Sequence, residues 1–565
     1  MSRKRKHLTE FLFLLVIILI VNFISSRVYH RFDLTADNRY TLKSQTRQIL
    51  EDMDDVVYFK VYLSGDMPIG LKRMQDRLRE MLEEFRIHAG EHVQYQFINP
   101  YEGDDESSRQ ALFGELRERG LKATNVKSRD KEGGMTQKVI FPGAVANLGE
   151  KATAVNLLKN NPGLSAEENL NHSIQSLEYK LIDAIYKLTL DEKKSIGFIT
   201  GQGELDRYQV GDITNALSDY YQVDRIDPEQ SPGDLSRYQT LIVARPTRAY
   251  SREAKYALDQ YVMEGGSLLW LIDRVQVSMD SLRTGSSTMA TIGQLNLSDQ
   301  LFKYGVRINP NLVRDIQCAV IPVNTAYQGD QPKFSPTPWV FFPLLSSPNN
   351  HPINKNLNMI RTEFISSMDT LPAYPGLQKT VLLTTSSRSA TVQAPAMVSL
   401  SEVASQPDPR DFNQSHLITG VLLEGQFQSV FKNRFVDDLE RTTGVSFRET
   451  SRDTRMIVLS DGDMIRNKVR HRPDGTMISE LGYDQYTRQT YGNKDFLMNA
   501  VHYLADKKGL IDIRSREVKM RLLDTNQIRE ERVTWQLINV GLPILLIILF
   551  GVVKNILRRR KYTRF

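Results

Sequence analysis

"GGSLLWLID", Gly265 to Asp273, is apolar at every position from Leu268 to Ile272, opens on two glycines and closes on an aspartate. A short apolar run bounded by turn residues is a strand with neither face left to water. The same pattern recurs around it. "SIGFIT" (Ser195–Thr200) and "TLIVA" (Thr240–Ala244) read as strands of this kind, with amphipathic helices expected over Val210–Tyr220 and Arg252–Glu264. Strand and helix alternating at this spacing predict an α/β fold on a doubly wound, mainly parallel sheet. Met456–Ser460 reads as a further strand, and Lys494–Asp506 as the helix after it. In between, prolines at 332, 336, 338, 343, 348, 352, 372 and 375 predict an irregular insertion, with strands near Val381–Thr384 and Gly420–Leu423.

Towards the N-terminus a second α/β pattern appears. Thr41 is placed to cap a helix through Leu50, and Val56–Leu63 has the β-branched and aromatic content of a strand. Leu71, Met74, Leu78, Leu82 and Phe85 form one face of a helix over 71–87, Val93–Ile98 alternates as a strand, and 107–119 reads as another helix. A hairpin is expected through Gly133-Gly134. Ser165 is placed to cap one long helix striped by Leu170, Ile174, Leu177, Leu181, Ile185 and Leu188.

The chain ends are different in kind. Phe11–Ile24 carries no charge and lies between Arg3-Lys4-Arg5-Lys6 and Arg27; with its flanks it reaches the roughly 20 residues that a membrane helix needs. Trp535–Val553 is equally apolar and precedes Lys554, Arg558, Arg559, Arg560, Lys561 and Arg564. Cations at both outer flanks place both termini in the cytoplasm of a bacterial inner membrane, with the bulk of the chain periplasmic. The layout expected is a basic tail and first transmembrane helix at 1–26, an N-terminal periplasmic α/β domain at 27–193, and a second at 194–513 carrying the Pro-rich insertion. A linker helix at 514–534, a second transmembrane helix at 535–557 and a basic tail at 558–565 complete it.

Charge excludes one function class. Of the net +6, residues 1–10 carry +3 and 554–565 carry +6, so the stretch between carries −3. A slightly acidic body is no nucleic-acid surface.

Candidate chemistry is sparse. The nearest approach to a phosphate loop, Gly420 to Phe427, lacks the Lys and the hydroxyl, so no ATP hydrolysis is expected. "GQGE" (Gly201–Glu204) lacks a third glycine and puts Glu204 where a phosphate would be repelled, which favours a tight strand-to-helix turn. Cys318 leads into Ala319-Val320-Ile321, a strand and not a nucleophile elbow. His88 and His92 straddle a helix end with no third ligand. No catalytic residue, cofactor or metal is therefore expected. "LSDGDMIRN" (Leu459–Asn467) has two readings: Asp461 closes a turn and Asp463 caps the next helix, or both join Asp273, Gly201, Gly203 and Glu204 in a ligand crevice at the carboxyl ends of the strands. In the second span Asn539, Gly541 and the helix-interrupting Pro543, together with Asn22 in the first, mark candidate faces against a permease.

"RFDLTADNRYTLKSQT" (Arg31–Thr46), "GFITGQGE", "GGSLLWLID", "LSDGDMIRN", the block from Leu481 to Asp524 and the terminal span ending in "RRRKY" together resemble the GldG family of gliding-motility ABC transporter auxiliary proteins, over essentially the whole chain. The resemblance implies a membrane-anchored, substrate-binding-type subunit acting with a separate permease and a separate cytoplasmic ATPase. It also implies a Rossmann-like middle domain, shared with intraflagellar-transport proteins and related to class I glutamine amidotransferases. Three functional readings follow: a non-catalytic transporter subunit that binds a cargo or periplasmic partner protein, an anchored periplasmic hydrolase or amidase, or a force-transmitting component of the envelope.

Overall fold

The computed structural model describes residues 11–20, 22, 42–102, 106–129, 135–159, 165–190, 192–277, 279–328, 331–355, 357–372, 376–404, 407–473, 475–505 and 525–562. It has mixed α/β architecture and falls into two compact units, Thr41–Glu517 and the paired ends Met1–Tyr40 and Val518–Phe565.

In the larger unit, Val57–Val61 buries alternate residues and pairs in parallel with Val93–Phe97 and antiparallel with Gly143–Leu148, which in turn pairs with Lys151–Asn156. The helix Ile69–Ala89 buries the predicted stripe of Leu71, Met74, Leu78, Leu82 and Phe85. The first helix of this unit runs Ser44–Glu51, with Lys43 at its N-cap and no side-chain cap of its own. Its exposed amide end is satisfied from elsewhere in the chain: Lys43 N and Thr46 Oγ1 each donate to Glu178 Oε1 at 2.8 Å. Thr41, expected as the cap, lies outside the described residues. Ser165 does cap, in a reciprocal capping box with Glu168. The helix it starts is broken, however, into Ala166–Gln175 and Leu177–Thr189, because Ser176 leaves helical geometry (φ −89°, ψ 0°) and its hydroxyl donates to Ser173 O.

The central sheet has seven strands in the order Leu377–Thr384, Ile418–Gly425, Thr454–Leu459, Ser267–Leu271, Thr240–Ala244, Ser195–Ile199, Gln222–Ile226. The last five are mutually parallel, and Ile418–Gly425 is antiparallel to both its neighbours, so that it alone runs against the other six. Its strands alternate between two cores. Leu269, Leu271, Ile242, Ala244, Ile457 and Leu459 pack with helices Gly211–Ser218 and Asn493–Ala505. Leu268, Trp270, Leu241, Val243, Met456 and Val458 pack with helix Arg252–Met263. This two-sided cover is why the strands read as unbroken apolar runs. Gly420 and Gly425, the nearest thing to a phosphate loop, stand within a strand paired on both sides. From Ser195–Ile199 the chain first adds the edge strand Gln222–Ile226, then crosses to Thr240–Ala244 on the other side. The strand order thus reverses between Ser195–Ile199 and Thr240–Ala244, where open sheets of this type leave a crevice at the carboxyl ends.

The first part of the Pro-rich stretch is not irregular. Cys318–Gln328 and Gln331–Leu345 form the longest hairpin in the described residues, with Trp339, Phe341, Phe342, Phe364 and Phe412 in a core of their own. The expectation fails because proline breaks a strand only where an N–H is needed. Pro322 lies opposite Pro336, and Val320 opposite Pro338. A facing pair of prolines fits only a non-hydrogen-bonded pair, so the missing donors all point away from the partner strand. Cys318 begins this hairpin, half-buried, its thiol pushed up to about 11 by burial and by Asp315.

In the smaller unit, one helix, Thr525–Tyr562, contains a stretch Glu531–Arg560 long and apolar enough to cross a membrane. It continues through Pro543, which does not interrupt it. The expected pair of spans is corrected to this one among the described residues: the N-terminal apolar helix is described over Phe11–Ile20, too short by itself. The linker helix expected at 514–534 lies outside the described residues up to 524 and is continuous with the span from Thr525.

Candidate functional site: a charged cleft at the carboxyl ends of the central strands

Three of the central strands end in loops that carry charge. After Thr240–Ala244 comes Arg245, a non-glycine residue at φ 55°, a conformation that surrounding contacts must enforce. After Ser267–Leu271 comes Asp273, and after Thr454–Leu459 come Asp461, Gly462 and Asp463. The backbone at 462 passes against Arg245 closely enough that a Cβ there would stand 2.5 Å from Arg245 Cγ and 3.0 Å from its Cα.

The two aspartates of "LSDGD" have separate tasks. Asp461, 1% exposed, accepts the amides of Asp463 (2.7 Å) and Met464 (3.1 Å) at Oδ1 and that of Glu363 (3.1 Å) at Oδ2. It closes the turn, as one reading of the sequence had it, and caps the short 3₁₀ helix Asp463–Ile465. Asp463 caps nothing, which corrects the other half of that reading. Its Oδ1 lies 3.1 Å from Arg245 Nε and 2.9 Å from Arg466 Nε. Asp273 accepts the Gly462 amide at Oδ1 and Arg245 Nε at Oδ2, the latter at 2.7 Å. Glu363 completes the set, with Oε1 3.0 Å from Arg361 Nη2 and Oε2 3.3 Å from Arg466 Nη2.

Burial and neighbouring charge divide these carboxyls. Burial, then Asp273 close by, pushes Asp463 up to about 7, against the pull of Arg466 and Arg245. Burial followed by Asp273 and Asp463 pushes Asp461 well above the usual carboxylate range. Burial alone would raise Glu363 too, but Arg361, Arg466, Lys468 and Arg245 outweigh it and hold that group below its ordinary value. Arg245 is held more firmly protonated by Asp463 and Asp273, despite its own burial.

These groups floor a cleft of about 960 Å³. One wall is the exposed hairpin Val469–Arg472 and Gly475–Ile478, carrying Arg470 and His471; the other is built from Met289, Ile321, Phe342 and Phe364. Such a volume is at the upper end of the roughly 300–1,000 Å³ of clefts that enclose a ligand.

Asp273 and Asp463 therefore meet in one cleft, with Asp461 directly behind them. Gly201, Gly203 and Glu204 do not line it. They form the tight turn that the sequence favoured: Gly201 (φ 113°) and Gly203 (φ 76°) lie against Asp227 and Thr247, and Glu204 accepts Gln202 N at 2.8 Å and Tyr250 Oη at 2.6 Å. Their link to the cleft is indirect, through Thr247, whose hydroxyl donates to Gly203 O at 3.0 Å. Sequence reasoning missed Arg245, Arg361, Glu363 and Arg466. Arg245 was within reach of it, as a charge set directly after a buried strand, and so was Arg466, three residues after Asp463 in LSDGDMIRN; Arg361 and Glu363 come from the insertion and are joined to the cleft by tertiary folding.

Asn539 and Gly541 lie exposed on the helix Thr525–Tyr562, and Asn22 is exposed and helical. Pro543 supplies no amide to the carbonyl four residues before it, which is that of Asn539.

The family described as an ABC-type uncharacterized transport system matches residues 193–500, more than half of the chain, and a domain of unknown function matches 36–147. No curated protein matches it. Among solved structures it is similar to the mmIFT52 N-terminal domain, at 14% identity and a TM-score of 0.31, over 55% of this chain and 96% of that one. It is also similar to exo-beta-1,4-mannosidase Op5Man5 from Opitutaceae bacterium strain TAV5, at 12% identity and a TM-score of 0.14, over 56% of this chain and 40% of that one. At such scores neither likeness bears on fold or function.

Proposed function

The chain belongs to the family described as an ABC-type uncharacterized transport system, and from that premise we propose that it is a non-catalytic, membrane-anchored auxiliary subunit of an ABC transporter acting in gliding motility. A transporter-associated accessory role, in company with other ABC components, comes with the family. The finer reading is ours. The Thr41–Glu517 unit stands in the periplasm as Rossmann-like α/β domains, divided near residue 194, and receives a cargo or partner protein at the cleft floored by Arg245, Asp273 and Asp463. The helix Thr525–Tyr562 anchors it, with the basic tail after it cytoplasmic, and packs on a separate permease driven by a separate ATPase.

The family match over residues 193–500 carries this reading. Two features support it. The strand pairing at Gly420–Gly425 leaves no nucleotide loop there, which accords with energy supplied by another subunit. The Asn539 carbonyl, deprived of its helical donor by Pro543, is a polar group that a membrane span satisfies against a neighbouring helix. The test is purification of the tagged full chain from its native membrane: permease and ATPase subunits should accompany it in stoichiometric amounts. A chain recovered alone under mild solubilisation, with undiminished motility in its deletion strain, overturns the proposal.

A further inference from the structure

The floor of the cleft has more donors than acceptors. Asp273 has both oxygens engaged, by the Gly462 amide and by Arg245. Glu363 has both engaged, by Arg361 and Arg466. Asp463 Oδ1 lies at ion-pair distance from Arg245 and Arg466 but is buried without a hydrogen bond, and its Oδ2 has no partner among the described residues. The guanidinium groups are used far less fully. Arg245 makes its contacts through Nε, Arg361 its ion pair through Nη2, and Arg466 its own through Nε and Nη2. Both Nη of Arg245 and the Nη1 of Arg361 and Arg466 remain without a partner among the described residues, and Arg361 Nε is buried with no hydrogen bond at all. Planar forks with spare N–H groups match carboxylates.

The walls narrow the choice. The hairpin side adds Lys468, Arg470 and His471, so donors continue from the floor to the rim on that side, while Asp206 and Asp280 also line the cleft. Met289, Ile321, Phe342, Phe364 and Val469 line the same cleft and offer apolar contact along it. Inorganic phosphate has nothing to place against those side chains, whereas an extended chain with acidic and apolar residues in alternation satisfies both walls. The acceptor that remains, Asp463 Oδ2, suits a backbone N–H.

We propose that the cleft binds an extended acidic peptide segment of a partner protein, its carboxylates held by Arg245, Arg361 and Arg466 at the floor and by Lys468 and Arg470 at the rim. This deepens the accessory-subunit reading and rests on it. Protonation works in the same direction. Asp463 faces Asp273, Asp461, Glu363, Arg245 and Arg466, and its carboxyl, pushed up to about 7, turns neutral on mild acidification. The floor then becomes more cationic and acidic peptide binds more tightly.

The experiment uses the full chain in detergent micelles and three fluorescent decapeptides, alternating Glu with Leu, Gln with Leu and Lys with Leu, with inorganic phosphate as a competitor. Glu/Leu peptide should bind at least about tenfold more tightly than either other peptide, and should lose roughly five- to tenfold in the Lys468→Gln/Arg470→Gln double variant, whose exposed positions leave the fold intact. Equal binding of Lys/Leu peptide, or no loss in the double variant, overturns the proposal. Displacement by millimolar phosphate as effective as by unlabelled peptide overturns the peptide assignment. Copurification of the permease, which depends on the membrane helix, is scored in the same preparations. A complex that copurifies yet ignores acidic peptide overturns the ligand class alone. Peptide binding without copurification leaves the ligand class standing and overturns the accessory reading.

Discussion

The Gly462 backbone lies directly against Arg245: a Cβ at 462 would stand 2.7 Å from Arg245 Cβ and 2.5 Å from its Cγ. The loop after Thr454–Leu459 can therefore close over the loop after Thr240–Ala244 only with glycine there. Gly462→Ala must push Arg245 away from Asp273 and Asp463 or move the turn that Asp461 caps. We expect a loss of about 1–3 kcal/mol from overpacking, read as a lowered midpoint of thermal unfolding. A variant as stable as the parent would mean that the two loops part without cost.

Asp463 should make stability depend on pH. Its carboxyl titrates near 7 in the folded chain against an ordinary 3.8, so the folded state binds its proton more tightly than the unfolded state does. The stabilisation is complete below the unfolded value and is lost as pH rises from there through about 7. Asp463→Asn, which cannot ionise beside Asp273, Asp461 and Glu363, should therefore gain on the parent across that window, by roughly 2–4 kcal/mol at pH 8 before relaxation of Arg245 and Arg466 reduces it. Denaturant titrations at pH 5 and pH 8 check the sign; a gap between the two proteins that closes as pH rises contradicts it.

Glu178 is the capping group of a helix more than a hundred residues before it. Glu178→Ala removes the acceptor shared by Lys43 N and Thr46 Oγ1, with Thr46 fully buried. A cost of about 1–3 kcal/mol is expected for stranding those donors. Amide exchange should quicken first over Ser44–Glu51, while exchange in the central sheet stays unchanged.

Asn539→Leu and Gly541→Leu should weaken recovery of the permease while the unfolding of Thr41–Glu517 stays as in the parent. Each replaces a small or polar group on the Thr525–Tyr562 helix with a bulky apolar one, next to a carbonyl that Pro543 leaves unpaired. Full recovery of the complex in stringent detergent with both variants would place the contact elsewhere on the helix.

The purified chain alone should turn over no ATP, and Gly425→Ala should act on folding and not on nucleotide chemistry. Gly425 has φ 124°, and a Cβ there would fall 2.0 Å from Gly376 O, so the variant must disrupt pairing of Leu377–Thr384 with Ile418–Gly425. ATP hydrolysis by the lone protein, abolished by this change, contradicts the assignment.

The central strands were legible because each is buried on both faces, and burial of that kind writes itself as an uninterrupted apolar run: TLIVA and GGSLLWLID fell where they were read, to within a residue or two at their ends. Helix Ile69–Ala89 was legible for the opposite reason, one wet face and one dry. The Pro-rich hairpin was not. Whether a proline is tolerated depends on which way its absent N–H points, a property of pairing register that no local pattern contains. The cleft was half legible. Asp273, Asp461 and Asp463 announce themselves by standing at strand ends, but the division of labour between Asp461 and Asp463 rests on which oxygen meets which amide. Arg361 and Glu363 come from a distant hairpin partner, and nothing near them in the sequence ties them to Arg245.

The same prolines that concealed the hairpin also decide what its outer rim can do. From Phe334 to Pro338 the strand Gln331–Leu345 has Cys318–Gln328 on one side and, among the described residues, no strand on the other, since Ile360–Arg361 joins it at Leu344 and Leu345. An open rim of this sort is ordinarily a template on which a stray β-segment can add itself. Here Pro336 and Pro338 present successive outward positions that offer no hydrogen, so an incoming strand would find carbonyls answered and its own carbonyls left bare. Around Pro336 and Pro338 the longest ribbon of the described residues is thereby closed to sheet extension by its sequence alone.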